Sequence, residues 1–203
     1  ALADSLLVER DTVAPWDALL SLIAERDFEV AETFADRIAA SANLPPVLRA
    51  RLLIQDARRS RVRDPARSIQ RLRQADSLGK DSPIQAEARL EQTRMMLTQV
   101  ASLDELLEVL ARIDESAEDG ARADGGPAQL ESTARRVVLY ADSTPAGAPS
   151  GDLRLFVAGE IARDSLDAPA LAASQFRRVA REWPESPFAP KAVLALILLD
   201  PVE

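Results

Sequence analysis

Apolar residues in this chain recur every three or four positions along most of its length. Phe28, Ala31, Ala35, Ile38 and Ala42 keep that step, as do Ala86, Leu90, Thr93, Leu97 and Val100, then Leu103, Leu106, Leu110 and Ile113, then Leu130, Ala134, Val137 and Ala141. At about 3.6 residues per turn each series is one stripe along a helix. Period-two alternation is nowhere sustained and only 4% of the residues are aromatic, so strand signals are missing. The chain is predicted to be all-α.

Helix starts are marked by their own chemistry. Ser82-Pro83 with Gln85, and Ser102 with Glu105, have the spacing of a capping box, in which a hydroxyl accepts from the third amide and the longer side chain reaches back. Asp64-Pro65 and Ser186-Pro187 put a capping oxygen ahead of a proline at the first helical position, where its missing N–H costs nothing. These signals predict helices over 2–9, 14–25, 28–42, 46–61, 65–78, 83–100, 103–117, 128–142, 151–165, 168–183 and 187–199, about eleven in all. Most connectors are too short for anything but antiparallel neighbours. Two longer breaks, a Gly-rich one at 118–127 and a Pro/Gly-rich one at 143–151, read as loops within a single domain over 1–203, the first also marking where two lobes would part.

Composition removes several chemistries. There is no histidine and no cysteine, which excludes thiol nucleophiles, histidine bases, disulfides and zinc clusters built on those side chains. All but two of the 25 basic residues are arginine and Asn43 is the sole asparagine, a bias that a GC-rich bacterial genome produces unaided. The longest uninterrupted apolar run, Ala192 to Leu199, falls short of the ~20 residues of a spanning helix. Residue 1 opens without a charged or apolar leader region, so a signal peptide or lipid-bearing cysteine would lie ahead of this numbering. No phosphate-loop, GxSxG, HExxH or calcium-loop pattern occurs, and acid pairs such as Asp104/Glu108 and Asp114/Glu118 are ordinary for a chain with 33 acids. No catalytic, cofactor or metal site is expected.

The stretches before 28, 65 and 103 begin similar helices at intervals of roughly 36 to 39 residues, the period of a helical-hairpin repeat. The fullest unit is 151–184, with Phe156 and Gly159 on its first helix, Ala172, Phe176 and Val179 on its second, and Pro184 closing it. The spacing of Ala172, Phe176 and Pro184 resembles the tetratricopeptide repeat. The remaining units keep the periodicity with alanine or leucine in place of the aromatic. The resemblance extends to the junction Pro184 to Ala192, which is similar to those of bacterial cell-envelope tetratricopeptide proteins. It implies a right-handed α-solenoid of antiparallel hairpins that binds other proteins, in the periplasm or at the cell envelope. First helices of such hairpins line the concave face, which makes Gln85, Arg89, Gln92 and Arg154 contact candidates.

Two further surfaces follow from the residues themselves. Nine arginines between Arg49 and Arg73 face only Asp56 and Asp64, whereas 101–125 holds eight acids against Arg112 and Arg122; stacked as neighbours, the two blocks would partly neutralise each other. Otherwise Arg58, Arg59, Arg61, Arg63 and Arg67 form a basic patch for an acidic protein or an anionic membrane surface. Nucleic acid is a poor fit, because no aromatics interleave and the net charge is −8. The last helix is apolar all round, so Phe188, Leu196 and Leu199 are contact candidates for another chain. Trp16, Trp183 and Met95-Met96 read as packing residues. The expected function is a non-enzymatic scaffold for protein–protein contacts. The alternatives are a permanent accessory subunit of a membrane-associated complex, or a hydrolase using two carboxylates in a deep pocket.

Overall fold

The computed structural model describes residues 13–41, 43–118, 126–142, 144–145 and 148–199. Among them are ten helices and no strand: α1 Val13–Arg26, α2 Phe28–Ala40, α3 Pro46–Ser60, α4 Pro65–Leu78, α5 Pro83–Thr98, α6 Leu103–Glu118, α7 Gly126–Ala141, α8 Gly151–Asp164, α9 Pro169–Glu182 and α10 Ala189–Leu199. Each coincides with a predicted helix to within two residues at either end. The helix expected over 2–9 and the Gly-rich break at 119–125 lie outside the described residues, as does the side chain of Trp16.

The chain forms two compact units, Ala1–Gln92 and Thr93–Glu203, whose boundary falls inside α5. In the first, α2 packs on α1 and α3, α3 on α4, and α1 also reaches α3. In the second, α6 packs on α7, α7 on α8, α8 on α9 and α9 on α10. Packing between chain neighbours, with short connectors, is the solenoid-like arrangement of an all-α chain. The first unit's core gathers Leu20, Ala35, Ile38, Leu44 and Leu52; the second's is larger, centred on Leu106, Val137, Leu155, Leu171, Phe176 and Val179. Met96 and Trp183 pack against that second core, as expected of them, and Met95 is buried.

The α8–α9 hairpin shows why the repeat-like spacing matters. Gly159 of α8 lies flat against Phe176 of α9: a Cβ there would stand 2.6 Å from the ring. Phe176 is fully buried, tilted against Phe156 at 5.5 Å between centroids, and Phe156 in turn meets Phe188 at 5.3 Å. Pro184 follows directly on Trp183, the C-cap of α9, whose N–H donates to Val179. The ring therefore fills the hairpin and links it onward, and the proline ends the helix for want of an amide hydrogen.

Asp64 accepts from the Arg67 amide at 2.9 Å, as its place before Pro65 predicts, and Asp27, not marked as a cap above, accepts from the Val30 amide at 3.1 Å. Ser102 accepts from Glu105 N–H as a cap should, and the Glu105 carboxylate reaches back one residue further than a capping box, to the Ala101 amide. The capping box expected at Ser82 does not form: its hydroxyl donates to the Gly79 carbonyl, and Gln85 accepts from Asp81, which sits at φ 60°. Ser186-Pro187 does not open the last helix either. Ser186 accepts from Phe188 N–H and donates to Asp152 at 2.5 Å, so the intervening residues form a turn and α10 begins at Ala189.

Candidate interaction surfaces

In the first unit an i,i+4 pair on α2, Glu32 and Asp36, meets an i,i+4 pair on α4, Arg67 and Arg71, with Asp56 of α3 beside them. Arg67 lies 3.3 Å from Glu32 and 3.6 Å from Asp36 and donates to the Glu32 carbonyl; Arg71 donates to Asp56 at 3.0 Å and pairs with Asp36. Asp56 and Arg71 are both buried. Burial raises the Asp56 pKa despite the pull of Arg67 and Arg59, and burial lowers that of Arg71. Next to them Ser60 and Ser68 share a hydrogen bond of 2.8 Å across the α3–α4 contact, and Ser68 donates to the Ala57 carbonyl. Small hydroxyl side chains let those two helices approach and leave each hydroxyl satisfied.

This cluster changes the reading of the arginine-rich stretch. Arg58 donates to Glu91 and Glu87 of α5 at 2.7 and 2.9 Å, Arg59 reaches Ser21 of α1, and Arg67 joins α4 to α2 and α3. The partners recorded for these arginines come from α1, α2, α3 and the first half of α5, in their own unit. Arg61 and Arg63 are exposed in the α3–α4 turn on either side of Val62, which is 87% exposed, and the Arg63 guanidinium lies over Phe28 at 4.4 Å. The stretch is thus both an internal tie between helices and, at the turn, an exposed cationic edge.

Of the four polar candidates from first helices, Gln85, Arg89 and Gln92 share α5 at i, i+4 and i+7, and Arg154 lies in the other unit. Gln85 caps the turn before α5, and Arg89 of α5 donates to Asp76 at 2.9 Å. Gln92, on the same helix, has a buried side-chain NH2 without a hydrogen-bond partner among the described residues. Arg154, in the other unit, donates to the Leu139 carbonyl at 2.9 Å.

The last helix has an inner and an outer apolar side. Ala189, Ala192 and Ala195 are buried, and Leu196, Leu199 and Phe188 pack partly buried against the second core. Val193, Leu194, Ile197 and Leu198 are exposed by 46, 58, 56 and 68%. The short alanine side chains allow α10 close to the core, Leu196 and Leu199 flank them, and the other four branched residues are left outside. Beside them Pro169, Ala170, Ala173 and Arg177 of α9, with Leu196, Ile197 and Leu199, line an open groove of about 440 Å³. The sequence shows that α10 is apolar all round, but Leu194 and Leu198, its most exposed residues, were not singled out, because which side faces out depends on the α9 contact. No family model matches this chain, and no curated protein or solved structure matches it.

Proposed function

We propose that this chain is a helical-repeat scaffold for protein–protein contacts, built on tetratricopeptide-like hairpins, acting at the bacterial cell envelope. The observation that carries the reading is the outer face of α10, where four branched apolar residues stand exposed side by side with no charge among them. A contiguous exposed apolar face of this kind, on a helix that also has a well-seated inner face, marks a contact site. The Gly159–Phe176 approach supports tetratricopeptide-type packing, and the right-handed superhelix belongs to that reading. The cell-envelope setting rests on the resemblance of 184–192 alone. Branched residues left this open to water also favour a lasting contact over a fleeting one, the role of a permanent subunit in a larger complex.

Capture of partners from cross-linked cells tests the scaffold with three proteins: wild type, Leu194→Glu/Leu198→Glu, and Arg58→Glu/Arg59→Glu/Arg63→Glu. Loss of a specific partner in the α10 variant is the expected result. Loss only in the arginine variant would move the interface to the first unit, and identical partner sets in all three would sink the proposal.

A further inference from the structure

Helices α2 and α4 both pack on α3, and an open groove of about 440 Å³ runs between their C-terminal halves. Its floor is apolar, made by Leu53 of α3 with Ala39, Ala40 and Leu78. Its charges are only partly matched. At one end Asp36 and Arg71 neutralise each other, and Arg71 also donates to Asp56 behind them. About two turns back along α3 stands Arg49, which has no carboxylate partner among the described residues. Its Nη1 reaches the Ala39 carbonyl at 3.3 Å, and its Nε is enclosed without an acceptor. A bond of that length to a neutral carbonyl leaves the guanidinium charge uncompensated, and an enclosed donor without a partner is the kind of group that a ligand satisfies. A carboxylate side-on to Arg49 accepts from Nε and the adjoining Nη, the two-bond geometry that the pair shares.

We propose that this groove binds a small organic acid with an unbranched apolar tail, its carboxylate paired with Arg49 and its tail lying on Leu53, Ala40 and Leu78. Such a site stands or falls independently of what α10 contacts. The volume is that of a small-molecule site. The walls are helical and present no strand edge to a peptide backbone, with only the Gln74 and Ser77 side chains to meet its amides, so an acyl tail fits better than a peptide. Asp36, exposed at the rim, repels a second negative charge and favours a monoanion over a phosphate. An open groove with one unmatched cation binds weakly, in the millimolar range.

NMR titration of the full chain with hexanoate, to about 50 mM, is the test, read at the Arg49 Nε–H signal and at the methyl groups of Leu53 and Leu78. Saturable shifts of all three are expected. Acetate is expected to bind at least about ten-fold more weakly, since each methylene on the apolar floor adds up to about four-fold, and hexanamide to leave the Arg49 signal in place. Arg49→Gln is expected to weaken hexanoate binding at least about ten-fold. Ala40→Phe, which lays a ring over the floor from an exposed position, is expected to reduce hexanoate to the affinity of acetate. No saturable shift, an equal response to hexanamide, or unchanged binding by Arg49→Gln overturns the proposal. Acetate bound as tightly as hexanoate shows an adventitious ion only and overturns it too. Should Arg49→Gln lose helical content, Ala40→Phe carries the test, and hexanoate bound by that variant as by the wild type is contradictory. Acetyl-Ala-Ala-Leu bound more tightly than hexanoate overturns the small acid as the ligand in favour of a peptide terminus.

Discussion

Two contacts at the scale of single residues carry much of the packing. Gly159 has space for a hydrogen and no more beneath the Phe176 ring. Alanine at that position gains up to about 1 kcal/mol of helix propensity but forces overlap with a buried ring that has nowhere to move, an effect of about 1–3 kcal/mol. Gly159→Ala is expected to lose about 1–2 kcal/mol in chemical denaturation, and Gly159→Ala/Phe176→Leu to recover part of that loss relative to Phe176→Leu alone. In the first unit, Asp56→Ala removes the buried carboxylate to which Arg71 Nε donates while leaving Arg71 its contacts with Asp36 and Gln74, and is expected to cost about 1–3 kcal/mol, whereas Asp56→Leu/Arg71→Met restores most of it. The pH dependence of Asp56 has its own sign: with a folded pKa above 3.8, its contribution is most favourable below 3.8 and is lost as pH rises through the folded value. The glycine and phenylalanine were legible in the sequence because both belong to one hairpin, whose phenylalanine stands about two helical turns before a recognisable proline. Asp56 was noted only as a stray acid within the arginine-rich stretch. Its burial depends on α2 and α4 closing over α3, which no local pattern encodes.

Helices announced themselves where side chain and backbone agree. Asp64 before Pro65 is read correctly because the carboxylate has one obvious use there; Asp64→Ala is expected to cost about 1 kcal/mol, measured by thermal or urea unfolding. Ser186 has two uses at once, accepting from Phe188 N–H and donating to Asp152 of α8, and α10 begins only at Ala189. The hydrogen bond from Ser186 holds the Asp152 carboxyl below its ordinary value, aided by the Leu153 amide. Ser186→Ala is therefore expected to return the Asp152 pKa toward 3.8, seen by NMR titration of the carboxyl carbon. The part of the stability difference that comes from the Asp152 bond is expected in full above 3.8 and lost as pH falls through the lowered pKa of the wild type. Equal titrations would show that the bond does not form in solution.

For the molecule as a whole, the fold class was legible and the surfaces only in part. Periodicity together with the start signals gives the ten described helices, because a helix with one buried stripe writes that stripe into its sequence. The partners of Arg58, Arg59 and Arg67 depend on which helices meet, so a block that looks like a free basic patch proves to be largely occupied within its own unit. α10 is the converse case: its apolarity is plain in the sequence, and its division into an inner and an outer side emerges only from packing. The central claim is that the outer side is where other protein is bound. A photoreactive amino acid placed at Leu198 in living cells, with exposed Gln129 of α7 as the control position, tests it most directly. Discrete protein adducts at Leu198 and none at Gln129 are the predicted result; no adduct at Leu198, or the same adducts at both, would contradict it.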